Sequence, residues 1–151
     1  MKIHYSWLAT TWHKVWVLWY VLKACCCLIK RALLHDLSKY GDLEALSFDG
    51  IKKLRGITYG SDAYKEGLKE LQPALKHHYS LNSHHPENHE RGFDGMTAID
   101  ILEMVCDWRA AVRRYKDGSM VASMVVNKER YGISEQEMEK LRKINEEIGL
   151  E

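Results

Sequence analysis

Proline interrupts this 151-residue chain at only two positions, Pro73 and Pro86. A proline inside a helix removes one backbone N–H and clashes with the preceding turn. Without it, long stretches of this chain are free to be helical. Strand signals are scarce: no segment alternates over a useful length, and no Asn-Gly or Asp-Gly turn joins β-rich runs. Apolar residues recur at helical spacing instead. The expected fold is all-α.

The pattern predicts a first helix from about Thr11 into the Trp-rich stretch and a second over Cys26 to Leu37. A short helix at Leu43 to Phe48 follows Gly41, and Asp49 to Gly60 reads as a loop. Ser61 or Asp62 caps a helix reaching about Tyr79, in which Pro73 predicts a kink or break near Gln72. Leu81 to Gly95 reads as a long loop, rich in Asn, Ser, His and Gly. Thr97 with Asp100 has the form of a capping box and opens a helix to about Lys116. Another helix follows Ser119. Ser134 with Glu137 repeats the box and opens the last helix, which Gly149 stops. With no repeat and no linker, residues 1–151 read as one domain. Its motif-bearing core covers about 10–116, and C-terminal helices cover 119–150.

Composition narrows the function classes. The apolar share of 46% and the charged share of 28% describe a globular chain. A net charge of +1 gives no electrostatic case for duplex nucleic acid or an acidic partner. The run Val15 to Ile29 is apolar except for Lys23, shorter than the ~20 residues a spanning helix needs. It reads as a core helix, with no membrane partner. Cys25, Cys26 and Cys27 are consecutive and no CxxC pair occurs, so neither a disulfide framework nor a zinc ribbon fits. Buried thiols in a reducing cytoplasm are the expectation. Trp7, Trp12, Trp16 and Trp19 suggest core or homodimer packing.

Eight histidines carry the chemical signal, and His77, His78, His84 and His85 fall within nine residues. Imidazole is the commonest metal ligand and a common general acid or base. His35-Asp36-Leu37-Ser38-Lys39 places a nitrogen ligand beside a carboxylate, a pair that a borderline divalent cation accepts. Adjacent residues point about 100° apart on a helix, so both reach one ion only near a helix end. Lys39 supplies a cation suited to phosphate. His13 lies amid apolar neighbours in the first helix. Asp107 adjoins the apolar stripe of its own helix, where a lone carboxylate is costly and needs a metal or an arginine. Asp100 and Glu103 share its stripe and read as a solvated acidic face.

In combination these residues resemble the HD-domain superfamily of metal-dependent phosphohydrolases: an early His, then His-Asp, then a distant Asp. His13, His35, Asp36 and Asp107 hold those places. A narrower bacterial and phage HD-like family of unknown function is more similar still. Its segments match His35-Asp36-Leu37-Ser38-Lys39, then His78, Asn82 and His84-His85-Pro86-Glu87, then Glu103-Met104-Val105-Cys106-Asp107-Trp108. The resemblance implies an HD-like helical bundle with a divalent metal (Mn, Fe, Co, Ni, Zn or Mg) on His13, His35, Asp36 and Asp107. It gives His78, His84 and His85 to a second metal position or to phosphate binding, with His77 and His89 at the surface.

The implied reaction is hydrolysis of a small phosphate ester, with nucleotides the favoured substrates. Lys39, with His78 or His85, then holds phosphate oxygens, and Glu44 or Glu103 orients the attacking water. The alternative is a non-catalytic HD-like protein that captures a nucleotide or a partner. A membrane-associated helical protein built on Val15 to Ile29 is a third reading.

Overall fold

The computed structural model describes residues 5–42, 44–45, 62, 66–67, 69, 71–114 and 117–149. They are helical, with no strand among them, so the protein is all-α as its sequence implies. The chain divides into two compact units, residues 1–35 and 36–151. The expectations for Leu43 to Phe48, Asp49 to Gly60 and the cap at Ser61 fall wholly or largely outside the described residues.

The first unit is one helix, α1 (Tyr5–Leu34), where two were expected. Neither Gly nor Pro occurs between Tyr5 and Leu34. Once a helix is nucleated, each further residue adds a hydrogen bond at little cost, so nothing divides the segment. At 30 residues it is about 45 Å long. Trp16 and Trp19 meet edge to face at 5.8 Å, and the Lys23 ammonium lies 4.1 Å from the Trp19 ring centre. None of the described helices is long and apolar enough to cross a membrane. The cysteines depart from expectation: Cys25, Cys26 and Cys27 on this helix are exposed, and so is Cys106.

In the second unit a 3-10 turn spans Leu37–Tyr40, and α2 covers Gln72–Leu81. Pro73 sits in the first turn of α2, where a missing N–H has no consequence. The break expected near Gln72 is thus the start of this helix. The loop that follows contains two further 3-10 turns, Pro86–Asn88 and Gly92–Gly95. Three longer helices follow: α3 (Ala98–Val112), α4 (Met120–Tyr131) and α5 (Glu135–Glu147).

Helices α4 and α5 both pack on α3. The core between them holds Met104, Val105 and Trp108 from α3, Met124 from α4, and Met138 and Leu141 from α5, with Phe93 and Ile133 beside them. Cys106 follows Val105 and falls on the outer side of α3. Gly132 ends α4 in the left-handed conformation (φ 64°), which a residue without a β-carbon adopts at no steric cost. Both predicted capping boxes form, Thr97 with Asp100 and Ser134 with Glu137.

The second box gives a stability prediction. The Glu137 carboxyl is held below the usual carboxylate range, first by the Ser134 hydroxyl and then by the Ser134 N–H. Such a group stabilises the fold above the ordinary carboxylate pKa. The contribution is lost as pH falls through the lower, folded value. Ser134→Ala should cost about 1 kcal/mol at pH 7. Thermal melts should show this difference shrinking at pH 3; an equal deficit at both pH values counts against the box.

Candidate metal centre

Helix α1 ends at Leu34, and Asp36 takes the left-handed conformation (φ 56°, ψ 23°). Asp is one of few residues with a β-carbon that visits this region. The helix end expected near Gly41 falls earlier, at Asp36 itself. The next 3-10 turn begins from it, with the Lys39 N–H donating to the Asp36 carbonyl at 2.9 Å. Asp36 Oδ2 also pairs with the Lys39 ammonium. The other oxygen, Oδ1, is directed to a set of histidines.

Three imidazoles approach it. His78 comes from the buried face of α2, one turn after Ala74. His84 and His85 come from the loop beyond. Asp36 Oδ1 lies 3.3 Å from His78 Nε2 and 3.5 Å from His84 Nε2. His78 Nε2 lies 3.0 Å from His85 Nε2. Donor atoms of all four residues fall within 4.8 Å of one another, and Asp107 offers one within the same distance of His84. Four donors placed about 2.0 Å from a common centre stand about 3.3 Å apart at the corners of a tetrahedron. The separations of 3.0, 3.3 and 3.5 Å bracket that length.

Behind the rings stand two carboxylates. His78 Nδ1 lies 3.1 Å from Glu44 Oε2, and His84 Nδ1 lies 3.3 Å from Glu103 Oε1. A carboxylate accepts and does not donate, so Glu44 and Glu103 favour a proton on the Nδ1 that faces them, which leaves Nε2 of each ring turned to Asp36. Glu44 is fully buried, and its other oxygen accepts from His77 Nδ1 at 2.7 Å. Asn82 donates to Ser38 Oγ at 3.0 Å, and Ser38 donates to Glu44 Oε2 at 3.0 Å. Burial lowers the pKa of His78, and the Lys39 charge adds to this against the pull of Asp36 and Glu44. Burial, followed by the neighbouring His84 and His78, pushes His85 down to about 3. Both rings are neutral at neutral pH, the form that coordinates.

Helix α3 supplies the remaining carboxylates. Asp100 is buried, which corrects the reading of a solvated face. Its Oδ2 accepts from the Thr97 hydroxyl at 2.6 Å, and its Oδ1 accepts from Ser83 at 2.7 Å. Glu103, one turn on, is mostly buried against His84 rather than solvated. Asp107, a further turn on, is half-buried, and its charge acts on His85. His89, expected at the surface, is partly buried and bonds the Ser83 carbonyl at 2.8 Å.

With the geometry in view, comparison with known proteins adds one result. The chain belongs to DUF5662, a family of unknown function. The family profile matches residues 3–148. No curated protein and no solved structure matches the chain. Membership in DUF5662 names no reaction, so the chemistry has to come from the side chains.

Of the expected ligands, Asp36 and Asp107 lie in the second unit with His78, His84 and His85. His13 and His35 belong to the first unit. Glu44 and Glu103, expected to orient water, occupy positions that fix imidazole tautomers. Ser38 had no assigned role, although its place in the His-Asp-Leu-Ser-Lys segment was the available signal. The Asp36 backbone offers a test. Asp36→Ala should be less stable than Asp36→Gly by about 1 kcal/mol in urea denaturation, since only the alanine keeps a β-carbon at φ 56°. Equal stability of the two variants would remove the argument for strain at this turn.

Proposed function

We propose that the protein is a metal-dependent phosphohydrolase acting on a nucleotide or a related small phosphate ester. The ion would be held by Asp36, His78, His84 and His85, with Asp107 within reach. One observation carries the reading. Asp36 Oδ1 lies 3.3 and 3.5 Å from Nε2 of His78 and His84, His85 Nε2 lies 3.0 Å from His78 Nε2, and donor atoms of all four fall within 4.8 Å of one another, while carboxylates stand at Nδ1 of two of the rings. Metal-ligating histidines commonly donate their second nitrogen to a carboxylate in this way. Three neutral nitrogens and a carboxylate favour Mn, Fe, Co, Ni or Zn over Mg. His13 and His35 enter the proposal through the HD resemblance alone.

Bound there, a divalent cation supplies Lewis acidity toward a phosphate ester and toward water. The chain's own groups do the rest. Glu44 and Glu103 keep the rings of His78 and His84 in one tautomer and one orientation. Lys39, partly exposed beside Asp36, sets a positive charge at the edge of the site, where phosphate oxygens would lie. His77, partly exposed on the far side of Glu44, links that buried carboxylate to the surface. A net charge of +1 leaves a small anion a better partner than a duplex or an anionic membrane. The proposed compartment is the cytoplasm.

Elemental analysis of protein purified without added metal should find a first-row transition ion near one equivalent. Glu103→Gln should weaken its binding roughly 10–100-fold. Phosphate release from a nucleotide panel with Mn²⁺, Co²⁺, Ni²⁺ and Mg²⁺ tests turnover. Asp36→Ala should reduce it on the order of 100-fold or more, since the variant loses a ligand outright. Unchanged activity in that variant defeats the proposal. Metal uptake with no turnover across the panel shifts the reading to capture without cleavage.

A further inference from the structure

Arg130 lies in the last turn of α4, far along the chain from the histidines. Its Nη2 donates to Glu87 Oε1 at 2.6 Å and to the Tyr79 hydroxyl at 2.9 Å. Its guanidinium carbon lies 5.6 Å from the Tyr79 ring centre and 4.8 Å from that of Tyr131. One side chain thus ties α2, through Tyr79, to the 3-10 turn Pro86–Asn88, through Glu87. His85 lies between these two anchors in sequence and in space. The Tyr79 and His85 ring centres are 4.8 Å apart, and Glu87 is two residues beyond His85.

Other contacts fix the backbone of this turn without fixing the ring. The Asn88 side chain donates to the Tyr79 and Ser80 carbonyls at 2.9 and 2.8 Å. The His85 N–H donates to the Asn82 carbonyl at 3.1 Å. Neither touches the imidazole of His85. Unlike His78 and His84, whose Nδ1 atoms face Glu44 and Glu103, His85 has the Tyr79 ring tilted at 54° against its own, with the His84 and His78 rings centred 4.2 and 4.8 Å away. Tyr79 in turn is held by Arg130 through its hydroxyl and its π-system, a combination suited to the planar guanidinium.

We infer that Arg130, with Tyr79 and Glu87, is a positioning residue that sets the orientation of the His85 ring. It thereby couples helix α4 to the proposed metal centre. The effect on metal affinity rests on the reading in the preceding subsection; the effect on the ring does not. Arg130 touches neither the proposed ligand atoms nor any reacting group, so its influence passes through Tyr79 and the Glu87 turn.

The test uses the full chain with Arg130→Gln, and with Tyr79→Phe and Glu87→Gln in case the first variant folds poorly. Lys128→Ala, on the same helix, is the control. In metal-free protein, imidazole ¹H–¹⁵N spectra should show His85 shifted in Arg130→Gln and unchanged in Lys128→Ala, with the thermal midpoints of both close to wild type. Co²⁺ titration followed by visible absorption should show about 10-fold weaker binding in Arg130→Gln, a size usual for partners of metal-ligating histidines. His85 signals that do not move in any of the three variants overturn the inference. Moved signals with unaltered Co²⁺ affinity overturn its metal part. Wild-type protein that takes up no Co²⁺ while the His85 signals still move defeats the metal reading and leaves the positioning role standing.

Discussion

A carboxylate behind an imidazole determines which ring nitrogen turns forward, and two such pairs organise the second unit. Glu44 stands behind His78 and Glu103 behind His84. A buried carboxylate is costly unless hydrogen bonds replace its water. Glu44 meets that demand on both oxygens, with His77 on one and with His78 and Ser38 on the other. These bonds draw the segment after α1 against α2. They also leave the forward nitrogens of the histidines facing a single carboxylate oxygen, Asp36 Oδ1.

Helix α3 serves both the core and the polar site. Met104, Val105 and Trp108 bury against α4 and α5, while Asp100, Glu103 and Asp107 lie along an adjoining stripe. Spacings of three and four residues keep those carboxylates on one side of the helix. Asp100 closes the capping box and anchors Ser83; Glu103 anchors His84, the next residue. The loop that presents His84 and His85 is therefore attached to the same helix that holds the hydrophobic core. Packing in the core and placement of the imidazoles are mechanically linked.

How far the sequence carried the reading depended on the range of each interaction. Both capping boxes follow from residues three apart, and both form as predicted. Pro73 marks the start of α2 for an equally local reason. The boundary expected ahead of Cys26 is absent, because no residue of α1 interrupts its backbone hydrogen bonds. Composition does not break a helix; Gly and Pro do. The exposure of the cysteines was missed because burial is set by neighbours distant in sequence. Asp100 was misread for the same reason, since its partner Ser83 is 17 residues away. Of the site, the sequence singled out Asp36, Asp107 and the clustered histidines, and the fold brings Asp36 together with His78, His84 and His85, and Asp107 with His84. It could not show that Glu44 lies 34 residues from its ring partner in sequence and 3.1 Å from it in space.

The turn at Asp36 has an electrostatic consequence of its own. Asp36, Glu44, Glu103 and Asp107 bring four carboxyl groups around rings that burial keeps neutral, and Lys39 is the cation paired at their edge. Like charges gathered in a poorly hydrated volume repel one another and oppose compaction. Whatever compensates that charge also draws together the turn after α1, α2, the His84–His85 loop and α3. A cation bound at the proposed site would therefore stabilise the second unit by mass action.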